Sequence, residues 1–177
     1  MTDTIASGPA GPANQALSKL RAGTRDGKLA SHVNFGRGID LRADPALQLC
    51  GRYASPRGRI LELSAQPGGQ GEWCGLHLKL EARDLRGWGA LGFVLCGMAP
   101  QMQLLRGCVR SGTSEGFSDC FFSKHMLLRP EESSFADALM LTGGPQLPLQ
   151  APWRELILFL PPEAFELTLT DWRVFLV

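Results

Sequence analysis

The stretch EWCGLHLKLE, residues 72–81, alternates apolar and polar side chains with a period of two. Cys74, Leu76, Leu78 and Leu80 fall on one side of an extended chain, and the residues between them fall on the other. This pattern is typical of a β-strand that packs on a core with one face and meets water with the other. From residue 32 onward, Gly, Pro, Asp or Ser punctuates the sequence about every ten residues, which predicts a series of short strands.

Two other runs are apolar at consecutive positions: ALGFVLC at residues 90–96 and most of WRELILFL at residues 153–160. Such strands lie centrally and are covered on both faces. In FELTLTDWRVF, residues 165–175, the apolar positions change from odd to even near Thr170 and Asp171, which predicts a β-bulge or bend. Residues 136–141 are a strand candidate, and helical alternatives are poor: outside the N-terminal region, the only one is at residues 130–139. Together these segments predict about nine strands in two packed antiparallel sheets.

The N-terminal residues 1–31 are rich in Gly, Ala, Ser, Pro and Thr. We expect them to form a flexible leader or a latch lying across the domain, with one candidate short helix running from Asn14 as its N-cap to Gly23 as its end. Residues 32–177 are predicted to form a single β-sandwich domain, since 177 residues suit one domain with a substantial core.

The charge, the first residues and the cysteine count indicate which classes of partner and which cell compartment to expect. Eighteen Lys and Arg against 17 Asp and Glu leave a formal net charge of +1, which gives no general reason to expect nucleic acid or an anionic membrane. The first residues lack the basic start and apolar core of a secretory signal, so we expect a cytoplasmic protein. Five cysteines, an odd number, indicate reduced thiols rather than a disulfide framework.

A family resemblance follows from the closing segment LPLQAPWRELILFLPPEAFELTLTDWRVFLV, residues 147–177, and from LRGWGALGFVLCG, residues 85–97. Both resemble core strands of the galactose-binding-like, carbohydrate-binding-module-like superfamily, over about residues 55–177. The resemblance implies an all-β, two-sheet antiparallel jelly-roll β-sandwich. It also implies a binding module, because non-catalytic carbohydrate binding is frequent in that superfamily, as are accessory roles beside enzymes.

The segment GCVRSGTSEGFSDCFFSKH, residues 107–125, carries the candidate site. It is predicted to be a hairpin with its turn at residues 111–116, so that Asp119 lies across from or diagonal to an arginine and holds it by two hydrogen bonds. Arginines so placed grip hydroxyls, a carboxylate or a phosphate; the alternative is a purely structural ion pair. The predicted ligand-binding residues are Arg106, Arg110, Asp119, Lys124 and His125.

Catalysis and metal binding are less favoured. His77 or His125 acting as a general base is the weaker alternative, since no serine or cysteine sits in a nucleophile context. The pairs Cys74 with His77 and Cys120 with His125 have odd separations and so point to opposite strand faces, which disfavours zinc. We therefore predict no cofactor and no metal. The predicted function is a non-catalytic binding module for a glycan or other polar small ligand; the alternative is a protein-interaction or accessory domain beside carbohydrate-active or polysaccharide-assembly machinery.

Overall fold

The computed structural model describes residues 8–144 and 147–177. In these residues it contains one α-helix, α1 (Gly11–Ala22), and one 3-10 helix, Pro45–Leu47. The strands are β1 (Arg25–Leu29), β2 (His32–Gly36), β3 (Ile39–Ala43), β4 (Leu49–Ser55), β5 (Leu61–Pro67), β6 (Cys74–Leu80), β7 (Ala90–Met98), β8 (Gln103–Thr113), β9 (Gly116–Leu128), β10 (Ser133–Met140), β11 (Arg154–Leu160) and β12 (Phe165–Leu176).

The strands form two six-stranded antiparallel sheets packed face to face. Sheet A has the order β1-β4-β5-β12-β7-β10, and sheet B has the order β2-β3-β6-β11-β8-β9. The predicted all-β sandwich is confirmed. The buried leucines of β6 point into the space between the sheets, as the alternation at residues 72–81 predicts.

The strand count needs correction, because the structure has more strands than the predicted nine or so. Most side chains of β1 are exposed, and β4 has only half-buried or exposed residues between its buried ends Leu49 and Ser55, so neither strand has a clear apolar pattern. The alternation of Val33, Phe35, Ile39 and Leu41 predicts one strand, but this stretch folds into the hairpin of β2 and β3. The strand predicted at residues 136–141 corresponds to β10, which pairs with β7 along its whole length and excludes the helical alternative at residues 130–139.

The predicted irregularity in the last strand is confirmed. β12 pairs with β5 only as far as Leu169, and its register against β7 shifts between Leu169 and Asp171. Beyond this bulge, the edge of β12 that paired with β5 has no neighbouring strand among the described residues. The Asn14 amide fills that place: its Nδ2 donates to the Val174 carbonyl and its Oδ1 accepts from the Val174 N–H, both at 2.8 Å.

Asn14 is therefore not the helix N-cap, which corrects the prediction. The helix begins after Ala10, with Pro12 in its first turn, where the missing N–H of proline costs nothing. Gly23 ends it as predicted. Helix α1 buries Ala13, Leu17 and Leu20 in the core, and β1 follows as a strand of sheet A, so much of the segment treated as a leader is part of the sandwich. No helix among the described residues has the length and hydropathy to cross a membrane.

Candidate functional site

The hairpin of β8 and β9 is confirmed, with a tighter turn than predicted. Pairing continues to Thr113 opposite Gly116, which leaves only two residues in the turn. Arg110 lies directly opposite Asp119, and its Nε and Nη2 donate to the two carboxylate oxygens at 2.7 and 2.8 Å. These hydrogen bonds raise the pKa of Arg110. The guanidinium is thus held in one orientation on the sheet.

Alternation along sheet B sends every second side chain away from the core, onto what we call the outer face. The strands contribute different chemistry to this face: charged groups come mainly from β3, β8 and β11, and phenyl rings come from β9 and β11. The charged and aromatic residues of the outer face, with the histidine and the two glycines that contact them, are Asp40 and Arg42 of β3, Gly75 and His77 of β6, Arg106, Arg110 and Gly112 of β8, Phe117, Asp119 and Phe121 of β9, and Glu155 and Phe159 of β11.

A second charged group lies beside the Arg110 pair. Glu155 Oε1 accepts from Arg42 Nη1 at 3.0 Å, and its Oε2 is 2.9 Å from His77 Nδ1. Because β6 lies between β3 and β11, the Arg42 side chain must cross β6 to reach this carboxylate. Burial acts to raise the pKa of Glu155, but His77 and Arg42 outweigh it and the pKa is lowered. The Glu155 carboxylate is therefore ionised at neutral pH, and hydrogen bonds to Arg42 and His77 fix its orientation.

His77 has one ring nitrogen without a partner. The residue is only 3% exposed, and Nε2 is buried with no hydrogen bond from any described residue. An added Cβ at Gly75 would lie 3.3 Å from Nε2 and 3.0 Å from Ile157 Cγ2, so a larger residue at this position would crowd the imidazole. A neutral ring that donates Nδ1–H to Glu155 presents Nε2 as a hydrogen-bond acceptor. The pair has the arrangement of a base and its orienting carboxylate, but no described hydroxyl or thiol lies within reach of Nε2.

Aromatic rings form two platforms on the outer face. The first, the Trp153 platform, consists of Trp153, Phe117 and Arg110. An added Cβ at Gly112 would lie 2.4 Å from Trp153 Nε1, so the indole rests against the Gly112 backbone. Phe117 lies opposite Gly112 in the strand register, and the Arg110 guanidinium carbon is 3.9 Å from its ring centroid. Trp153 is 37% exposed and Phe117 55%, so flat apolar surface remains open to solvent.

The second, the Phe121 platform, consists of Phe121, Phe159 and Arg106. The two phenyl rings stack with centroids 5.7 Å apart and planes 29° from parallel. The Arg106 guanidinium carbon lies 4.0 Å from the Phe121 centroid. This contact is a cation–π interaction that fixes an exposed arginine above a ring.

The five predicted ligand-binding residues do not all lie together. Arg106, Arg110 and Asp119 share the outer face, and His125 lies opposite Arg106 in the strand register. Lys124 does not join them: its backbone N–H donates to Asp137 at 2.8 Å and its Nζ donates to the Ala136 carbonyl at 3.1 Å. Lys124 therefore ties β9 to β10 at the edges of the two sheets.

Several outer-face residues escaped the sequence analysis, and the signals for them were weak. In WRELILFL, Glu155 and Phe159 share a parity with Trp153, which marks one face of a strand with two apolar faces. Nothing local in the sequence connects them to Arg42 or Gly112. His77 was named only as a candidate general base or zinc ligand. The residues that were missed are Arg42, Gly75, Gly112, Phe117, Phe121, Trp153, Glu155 and Phe159.

A cavity lies elsewhere, away from the outer face of sheet B. It has a volume of about 540 Å³ and sits between α1 and the bulge of β12. Its charged groups satisfy one another, since Arg173 Nε is 2.9 Å and Arg21 Nη1 3.8 Å from the Asp171 carboxylate. It presents fewer aromatic and convergent polar groups than the outer face of sheet B, which we take as the candidate site.

Comparison with known proteins bears on the fold. No protein-family model matches the sequence, and no curated protein is similar to it. Among solved structures, the CBM22-1 xylan-binding domain of Xyn10C from Paenibacillus barcinonensis has a TM-score of 0.54 at 12% identity, with 89% of this chain and 90% of that chain covered. The protein has the β-sandwich fold of a carbohydrate-binding module. The resemblance inferred from the sequence is thereby confirmed at the level of the fold.

Two further similar structures have lower scores. The family 11 carbohydrate-binding module of the cellulase Lic26A-Cel5E of Clostridium thermocellum has a TM-score of 0.47 at 10% identity, with 86% of each chain covered. The N-terminal cellulose-binding domain of β-1,4-glucanase C from Cellulomonas fimi has a TM-score of 0.47 at 14% identity, covering 72% of this chain and 82% of that chain.

Proposed function

We propose that this protein is a non-catalytic binding module for a glycan, which it holds on the outer face of sheet B. A pyranose ring presents an apolar face of C–H groups and a rim of hydroxyls. A site for it needs flat aromatic surface beside polar groups whose directions are already fixed. The two platforms supply the rings, and the bidentate pair of Arg110 and Asp119 supplies fixed donors and acceptors.

The observation that carries the proposal is the placement of Trp153. Its indole lies against Gly112, beside Phe117 and the pinned guanidinium of Arg110. An exposed tryptophan held flat on a sheet offers stacking area with little conformational entropy left to lose on binding. The fold adds support, because the domain of highest TM-score among those described is itself a xylan-binding domain.

The test is a titration of the full chain with soluble polysaccharides, including xylan, mixed-linkage β-glucan, hydroxyethyl cellulose and polygalacturonate. Trp153→Ala should weaken binding to whichever polysaccharide binds best by about tenfold, which corresponds to roughly 1.4 kcal/mol. Met140→Ala is the matched control, since Met140 is 63% exposed on the outer side of sheet A. Failure to bind any polysaccharide, or equal binding by the wild type and Trp153→Ala, would contradict the proposal.

A second candidate function, protein interaction, is favoured by an apolar group at the other end of the same hairpin. Leu104 and Leu127 are paired across β8 and β9 and are both exposed, and Met102 beside them is exposed too. Exposed apolar side chains in one place are typical of a protein interface. Leu104→Asp would abolish recovery of a partner in a pull-down while leaving polysaccharide binding unchanged; recovery that is unaffected by the substitution would count against this function.

A further inference from the structure

The three arginines on the outer face of sheet B differ in how their charge is balanced. Arg42 contacts the carboxylates of Asp40 and Glu155, and Arg110 contacts Asp119. Within residues 8–144 and 147–177, Arg106 makes no ion pair and donates no hydrogen bond. Its donors are therefore available to a ligand.

The Arg106 guanidinium is nevertheless held in place. It lies 4.0 Å above the Phe121 ring, which is itself stacked on Phe159. The guanidinium has five N–H donors, and no described residue accepts a hydrogen bond from any of them, so they can bind a ligand above the ring. A cation oriented in this way loses less side-chain freedom on binding than a solvated one.

The surroundings of Arg106 suit a sugar that carries an acid group. Its neighbours in the strand register are Phe159 on one side and His125 on the other. The phenyl rings offer an apolar surface for a sugar ring. The planar guanidinium matches the two oxygens of a carboxylate, which it binds with two parallel hydrogen bonds. Exposed His125 adds a further hydrogen-bonding group beside the guanidinium.

We infer that the ligand is an acidic glycan, and that Arg106 binds the carboxylate of a uronic acid residue on the Phe121 platform. The inference rests on the proposed function and adds the chemical class of the glycan. A sulfate ester would also attract the guanidinium, so the experiment includes a sulfated polymer. Lys79, an exposed cation of β6 with no ion pair among the described residues, provides the control for charge alone.

The experiment compares polygalacturonate with its methyl ester, a ligand pair that shares one backbone and differs in carboxylate charge. The wild type should bind polygalacturonate about tenfold or more tightly than the ester, the usual range for a charge-assisted bidentate contact. Arg106→Gln keeps a polar side chain of similar length and should remove most of this preference. Lys79→Gln removes the same formal charge from the same sheet and should retain it.

Three results would overturn the inference: equal binding of acid and ester by the wild type, a preference that survives in Arg106→Gln, or an equal loss in Lys79→Gln. Tighter binding of dextran sulfate than of polygalacturonate would overturn the assignment to a carboxylate. Thermal unfolding of both variants establishes that they are folded. Absence of binding to either polymer, or equal binding that Trp153→Ala weakens, would refute only the acidic class, provided that a neutral polysaccharide binds. Absence of binding to every polysaccharide tested would refute the proposed function itself.

Discussion

Substituting Gly112 with alanine tests whether the position of Trp153 matters. The added Cβ would lie 2.4 Å from Nε1 and 2.7 Å from both Cδ1 and Cε2 of the indole. Carbon atoms in contact prefer separations of about 3.5–4 Å, so the ring must move away by roughly 1 Å or more. The fold itself should tolerate the methyl group, because Gly112 has no left-handed backbone conformation and its Cβ meets the Trp153 side chain rather than the core.

The expected loss is in binding. Displacing the indole from beside Phe117 and Arg110 removes a flat stacking contact, which is worth about 0.5–1.5 kcal/mol, or roughly 2- to 13-fold in Kd. Calorimetric titration with the best-binding polysaccharide measures this change, and urea unfolding should show a stability within about 1 kcal/mol of wild type. Gly36→Ala is the control, since its added Cβ would meet nothing within 4 Å on the same sheet. A folded Gly112→Ala that binds within twofold of wild type would refute the reasoning.

The other predictions concern the scaffold. Asn14→Ala removes both hydrogen bonds to Val174, whereas alanine is the better helix former by about 0.6 kcal/mol. We expect urea unfolding to show a net decrease of about 1–2 kcal/mol in the free energy of unfolding. An unchanged midpoint would show that the contact of Asn14 with β12 does not stabilise the fold. Arg154→Met leaves the Ala82 and Pro148 carbonyls and the Ser111 hydroxyl without their charged donor and should cost about 3 kcal/mol, whereas a loss below 1 kcal/mol would contradict a structural role for that buried guanidinium. A thiol reagent should modify exposed Cys50 in the native protein but spare Cys74 and Cys108, because burial raises the pKa of each of these two thiols to about 12; equal labelling in native and unfolded protein would contradict this.

Much of the fold could be predicted because a two-residue period records which strand face is buried. The alternation at residues 72–81 corresponds to β6, and the change of phase near Asp171 corresponds to the bulge of β12. β1 and β4 have no such period, since both lie towards the edge of sheet A, where β1 is mostly exposed and the middle of β4 is half-buried or exposed. The pairing of Asn14 with the backbone of β12 could not be predicted either, because its partner Val174 lies 160 residues away in the sequence.

The contacts of the candidate site were predictable within the hairpin but not between strands that are distant in sequence. Arg110 and Asp119 were predictable as partners, because a hairpin brings residues nine apart into direct opposition. Trp153 was not, because its placement depends on a glycine in another strand. The cluster of Glu155, Arg42 and His77 is likewise assembled from three strands that are separate in sequence and adjacent only in sheet B. Exposed strand faces do not show the apolar alternation of buried ones. Which exposed residues are neighbours can therefore be predicted only once the strand order is known.

Backbone and indole N–H chemical shifts, followed while an oligosaccharide of the best-binding polysaccharide is titrated into isotopically labelled protein, test the central claim most directly. A ligand on the outer face of sheet B should shift the Trp153 indole N–H and amides of β8, β9 and β11, and should leave β4, β5 and β10 of sheet A unchanged. Shifts confined to sheet A, or to the cavity between α1 and Asp171, would contradict it.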